Sequence, residues 1–121
     1  MYKIIVAGKI HSHGINLLKE VDNFDVFVLP DATQGTLEQN LSEADAILLR
    51  LQSFDKKMIE NCPNLKILSR NGVGFDRIDI PELTRRSIPL TIVGDVNSSS
   101  VAEHTIMFIL NLLKNTSVHD D

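Results

Sequence analysis

Leu65-Lys66-Ile67-Leu68-Ser69-Arg70-Asn71-Gly72-Val73-Gly74 is a short apolar run that ends in two closely spaced glycines, and Asp79-Ile80-Pro81-Glu82 follows it. The second segment reads as a helix start, with an acidic cap, a proline in the first turn and a glutamate three residues after the cap. The stretch therefore predicts a strand over 65–69, a loop at its tip and then a helix, which is one βα unit. The same alternation recurs on both sides. Residues 3–7 form a β-branched run closed by Gly8, and Ile15, Leu18 and Val21 share a helical stripe over 12–21. A strand is expected over 24–29, a short helix over 37–43, a strand over 46–49, and a helix over 55–61 with Met58, Ile59 and Cys62 turned inward. Pro89 restarts the chain for a strand over 90–93, and Ser100-Val101-Ala102-Glu103 has capping-box spacing at the head of a final helix, Ser98–Lys114.

Five such units in a row, with strands apolar on both faces, require a parallel sheet covered by helices on both sides. The expected class is α/β, a doubly wound, flavodoxin-like five-stranded sheet in the order 2-1-3-4-5. A chain of 121 residues with 43% apolar content suits one core. Twelve lysines and arginines against sixteen acidic residues leave a net charge of −4, which gives no general attraction for nucleic acid or an anionic membrane. Apolar runs are far shorter than the ~20 residues of a membrane span. One cysteine, with no leader pattern at the N-terminus, points to a reducing, cytoplasmic setting. Residues 116–121 read as a polar tail. The final helix is apolar around most of its circumference, from Val101 to Leu113, so one face is expected on this sheet and the other on a second domain or a second copy of the chain.

In an open parallel sheet, ligands bind beyond the carboxyl ends of the strands. Those tips carry Arg50-Leu51-Gln52-Ser53 after strand three, Gly72-Val73-Gly74 after strand four and Gly94-Asp95-Val96-Asn97 after strand five. Gly72 and Gly74 permit positive φ and close backbone approach, so N–H groups around Val73 can converge on an anionic oxygen. Arg50 offers a planar fork for a carboxylate or phosphate. Asn97 supplies an amide just before a helix N-terminus that favours negative charge. Each feature also has a plain structural explanation. A lone Gly-x-Gly is most simply a turn, Arg70 could pair with Asp76 or Asp79, and Asp76 could close the turn. His11 and His13 lack a third ligand for a metal, and Cys62 lies on an inward stripe with no basic neighbour. Glu103 and His104 are adjacent on a helix and do not face each other.

The run from Leu65 to Asp79, the Ile88-Pro89-Leu90 step and Asn97-Ser98-Ser99-Ser100-Val101-Ala102-Glu103-His104 together resemble the D-2-hydroxyacid dehydrogenases, nearest the phosphoglycerate dehydrogenase branch. The resemblance is close over 45–115 and looser before that. It implies a flavodoxin-like substrate-binding domain over 1–97 and a crossover helix over 98–115, leading into an NAD-binding domain that is absent from this sequence. It also implies that backbone amides at Val73 and Gly74 and the Arg50 guanidinium bind the acid, and that Asn97 lies near both substrate and nicotinamide. Ser53 stands in a segment where many members carry Arg-Ser-x-Thr, so by this resemblance a hydroxyl contact is shifted or lost here. The family's three-glycine NAD fingerprint, catalytic arginine and histidine–glutamate pair would all lie downstream. No catalytic residue is then expected in this chain, and the 121 residues alone are expected to be inactive.

Two other classes share features with this sequence. A phosphoacceptor receiver domain has the same five units but needs acidic residues after strands one and three and a lysine after strand five, where this chain has Ala7-Gly8, Arg50 and Gly94. A stand-alone acid-binding or dimerisation module would use the final helix to pair with a partner or with itself.

Overall fold

The computed structural model describes residues 1–31 and 33–114, and the expected polar tail over 116–121 lies outside them. Ten elements alternate strictly: β1 (Tyr2–Ala7), α1 (Ser12–Lys19), β2 (Phe24–Val28), α2 (Gln34–Gln39), β3 (Ala46–Leu49), α3 (Lys56–Glu60), β4 (Ile67–Arg70), α4 (Ile80–Arg85), β5 (Leu90–Ile92) and α5 (Ser98–Lys114). The five strands form one sheet in the order β2-β1-β3-β4-β5. Every pairing is parallel, with Ile4 opposite Ala46, Ala46 opposite Ile67 and Leu68 opposite Leu90. The expected class and strand order are those observed.

One face of the sheet holds the core. Ile5, Ile47, Leu49 and Leu68 meet Leu37, Met58, Ile59 and Leu83 from α2, α3 and α4, with Phe54 and Cys62 fully buried among them. Side-chain caps start these short helices: Asp55 Oδ1 accepts from Met58 N at 2.9 Å, and Asp79 Oδ1 accepts from Glu82 N at 2.9 Å, with Pro81 in the first turn. Glu82 does not return to the cap. Its buried carboxylate takes a two-point bond from Arg85, with Nε to Oε2 at 2.9 Å and Nη2 to Oε1 at 2.5 Å. The Arg86 guanidinium donates to the carbonyls of Ile59, Cys62 and Pro63 and so satisfies the last turn of α3 from another element.

Three expectations need correction. The second helix spans Gln34–Gln39 rather than 37–43, because Thr33 caps it by accepting from Thr36 N at 3.2 Å while Asp31 fixes the Thr33 hydroxyl. Leu41, expected inside that helix, and Ala44 just beyond it are buried in the turns that follow. α1 stops at Lys19, so Val21 falls beyond its cap at Glu20 and is 40% exposed. Among the described residues, the face opposite the core carries only α1, none of whose residues is fully buried, and α5 does not dock on this sheet. Every residue of α5 is exposed, including Ile106, Phe108 and Leu112.

Candidate functional site

Backbone hydrogen bonds stitch the carboxyl tips of four adjacent strands into one rim. Arg50 N donates to Ala7 O at 3.1 Å, Asn71 N to Leu49 O at 2.7 Å and Val93 N to Gly72 O at 3.1 Å, joining β1 to β3, β3 to β4 and β4 to β5 in turn. A second set of bonds ties the β3 loop to the β4 loop. Phe54 N donates to Arg77 O at 2.8 Å and Asp79 N to Phe54 O at 3.0 Å, making a one-residue parallel bridge between Phe54 and Ile78. Since Phe54 is a fully buried anchor, both loops are held to the core at that point.

Arg50 and the Val73–Gly74 bend therefore follow adjacent strand tips, one beyond β3 and the other beyond β4. Asn71 N and Gly72 N are already used, the latter donating to Arg70 O at 2.9 Å. The N–H groups of Val73 and Gly74 have no acceptor among the described residues. Such a pair of amides must bond to water or a ligand, because an unpaired backbone donor is costly to shield. The Arg50 guanidinium is exposed and donates from Nη1 to Lys9 O at 3.2 Å, which leaves most of its donors without a protein partner among the described residues.

The bend is freed by a different device from the one expected. Neither Gly72 nor Gly74 has positive φ; among the described residues Gly8, at +114°, is the only glycine that does. Gly72 is small because the Arg70 side chain crosses it, with Nε 3.0 Å and Nη2 3.3 Å from where a Cβ would stand. Gly74 similarly leaves room for Asp76 Oδ1 at 3.1 Å. Arg70 pairs with neither Asp76 nor Asp79, and its buried Nε lacks a hydrogen-bond partner.

Ser53 and Asn97 are placed differently. Ser53 belongs to the same loop as Arg50, but its backbone is clasped by Gln34, whose Oε1 accepts from Ser53 N at 3.1 Å and whose Nε2 donates to Ser53 O at 3.0 Å. Asn97 is exposed beyond β5, where its carbonyl accepts from Val101 N at 3.0 Å as α5 begins. No hydrogen bond joins Asn97 to Arg50 or to the Val73 bend among the described residues. A depression of about 330 Å³ lies beside the rim between Ile10, His11, Arg70, Asn71 and Val93. A larger apolar hollow of about 430 Å³ between α4 and β5 contains none of the anticipated residues.

Sequence reading missed four residues that build the rim. Gly8 abuts Arg50, Gln52 and Gln34 grip the β3 loop, and Arg77 Nη1 reaches Leu51 O at 3.5 Å. Cys62 is core as expected, and burial pushes its thiol up to about 12. His104 packs edge-on against Phe108 with ring centroids 4.4 Å apart, on an exposed face of α5. Among the described residues, no three His, Cys, Asp or Glu gather as metal ligands and no helix is long and apolar enough to cross a membrane.

Comparison with known proteins defines the class. Residues 4–117 match the model of the D-isomer specific 2-hydroxyacid dehydrogenase catalytic domain, so the chain belongs to that family. It is 37% identical over 111 residues to a glyoxylate reductase of Thermofilum pendens, covering 89% of this chain and 33% of that protein. It is 33% identical over 115 residues to a D-3-phosphoglycerate dehydrogenase of Synechocystis, covering 94% of this chain and 20% of that protein. Among solved structures, an NAD-dependent formate dehydrogenase from Staphylococcus aureus in complex with NAD superposes with a TM-score of 0.79 at 25% identity, over 98% of this chain and 40% of that one. The chain spans about a third of the length of the first curated relatives it matches, 37% and 36%.

Proposed function

We propose that these residues form the acid-binding half of an NAD-dependent 2-hydroxyacid dehydrogenase, and that the whole protein exchanges a hydride between the dinucleotide and the carbinol or keto carbon of a small 2-hydroxy or 2-keto acid. A D-3-phosphoglycerate-like substrate falls within that class. One observation carries the reading: two backbone amides without an acceptor among the described residues, at Val73 and Gly74, and an exposed guanidinium, at Arg50, follow the tips of adjacent parallel strands. Amides and a guanidinium together hold a carboxylate through charge-assisted bonds without needing a group that changes protonation. Ser53 and Asn97 would then contact the remainder of the acid, with Asn97 at the edge that faces the nicotinamide.

The dinucleotide does not fit the residues of this chain. Gly72-Val73-Gly74 follows β4, runs on as Phe75-Asp76-Arg77 and is crossed by Arg70, while the space freed at Gly8 is taken by Arg50. NAD is accordingly assigned to the part of the longer relatives that this chain does not match, and no step beyond holding the acid is assigned here. The exposed apolar surface of α5 suits a helix that crosses into a second domain, or that meets a second copy in a homodimer. A cytoplasmic setting belongs to the same reading, and the buried, unpaired Cys62 fits it.

The test is a titration of the ¹⁵N-labelled chain with glyoxylate and with 3-phosphoglycerate, followed by amide chemical shifts. Saturable shifts are expected at Val73, Gly74 and Arg50, with smaller ones near Asn97, and NADH oxidation with glyoxylate should stay at background. Shifts confined to other parts of the molecule would remove the assignment.

A further inference from the structure

We propose that Gln52 is a positioning residue for Arg50, holding the β3 tip in the single conformation that presents the guanidinium at the rim. This rests on the reading that Arg50 binds the acid, and adds to it the group that sets Arg50 in place. Gln52 is only 6% exposed, although it sits in a loop next to Leu51, which is 66% exposed. A buried amide side chain is costly unless it is hydrogen-bonded, and this one folds back on its own loop. Its Oε1 accepts from Leu51 N at 3.1 Å and, more weakly, from Arg50 N at 3.4 Å. Leu51 N has no other acceptor among the described residues.

The surroundings permit little alternative. Gln52 Nε2 lies 3.7 Å from where a Cβ on Gly8 would stand, so the amide is wedged between the β1 tip and the 50–51 backbone. The next residue, Ser53, is gripped at both N and O by Gln34, which prevents the loop from sliding with it. Arg50 rests against the same turn through Lys9 O. The segment is thus fixed before any ligand arrives, and a fixed guanidinium binds more tightly than one that must be ordered on binding.

Two measurements on the 121-residue chain test this. The first is amide hydrogen exchange of the unmodified protein: Leu51 N–H should be protected despite the exposure of its residue, and exchange at the rate of a free loop would overturn the proposal. The second is a double-mutant cycle with glyoxylate as probe, using Gln52→Met, which keeps the length of the side chain and removes its acceptor. Gln52→Met should weaken binding by about tenfold in the native background and leave it unchanged in the Arg50→Ala background. An unchanged affinity on its own, or an equal loss in both backgrounds, would show that Gln52 does not act through Arg50. If Arg50→Ala itself leaves glyoxylate binding intact, the acid-binding reading fails, and the positioning role fails with it. Should Gln52→Met not fold, the exchange measurement decides alone.

Discussion

Gly8 and Arg50 stand so close that a Cβ on Gly8 would lie 2.8 Å from the Arg50 Cβ, and the Gly8 backbone has a φ of +114°. Backbone conformation and space therefore both exclude a side chain at this position. Gly8→Ala is expected to lower stability by about 2 kcal/mol or more, since the strained φ and the contact must both be relieved. Chemical denaturation reads the first effect. The second would appear as weaker glyoxylate binding, because the strand tip carrying Arg50 is what must move.

Ser87 is the one non-glycine residue with positive φ among the described residues, at 56°, and it follows the Arg86 cap of α4. Ile88 N donates to Leu83 O at 2.9 Å and Ser87 N to Thr84 O at 3.0 Å, the bonding of a helix end that turns through the left-handed region. Ser87→Gly should raise stability by roughly 0.5–1 kcal/mol, visible as a melting temperature a few degrees higher, with acid binding unchanged. A lower melting temperature would mean that the serine hydroxyl does more than occupy a strained position.

The repeating βα pattern was legible because it is local: strand composition, the cap at Asp79, and the whole of α5 follow from neighbouring residues. The tips were legible as a rim, since parallel strands deliver their carboxyl ends to one edge. What the sequence concealed acts across long separations. Gly8 meets Arg50, Gln34 clasps Ser53, and Arg86 caps α3, pairs that no periodicity connects. Gly72 shows the same limit, because its smallness answers to the Arg70 side chain rather than to its own dihedral angles. The second helix starts earlier than expected because the Asp31–Thr33 hydroxyl pair sets its cap, a signal that apolar periodicity does not carry.

Asp45 lies at the opposite, amino-terminal edge of the sheet, where Lys66 bonds its Oδ1 and Lys3 N donates to Oδ2 at 2.9 Å. The Lys66 bond first, and the Lys3 amide second, hold this carboxyl below the usual carboxylate range. A group whose pKa is lower in the folded state stabilises the fold above its unfolded value of about 3.9, and that contribution is lost as pH falls through the folded value. Urea midpoints measured from pH 7 downward should therefore fall below about pH 4, and fall less steeply in Asp45→Asn, which should already be the less stable protein at pH 7. Parallel curves would take Asp45 out of the acid response.

Phe108 is 54% exposed on α5, in edge contact with His104 and surrounded along the helix by Ile106, Ile109 and Leu112, all at least half exposed. A contiguous apolar surface of this kind on one helix favours self-association once the chain is concentrated. Removing it costs the fold nothing, because no core residue rests on it. Phe108→Asp is therefore expected to keep the native melting temperature while reducing the mass seen by light scattering toward that of one chain. Glyoxylate binding should also survive, because the Val73 bend and Arg50 are held by the sheet and the Phe54 bridge rather than by α5. A variant that unfolds would show instead that α5 packs against its own sheet in solution, and the uncovered face beside α1 would be where it lies.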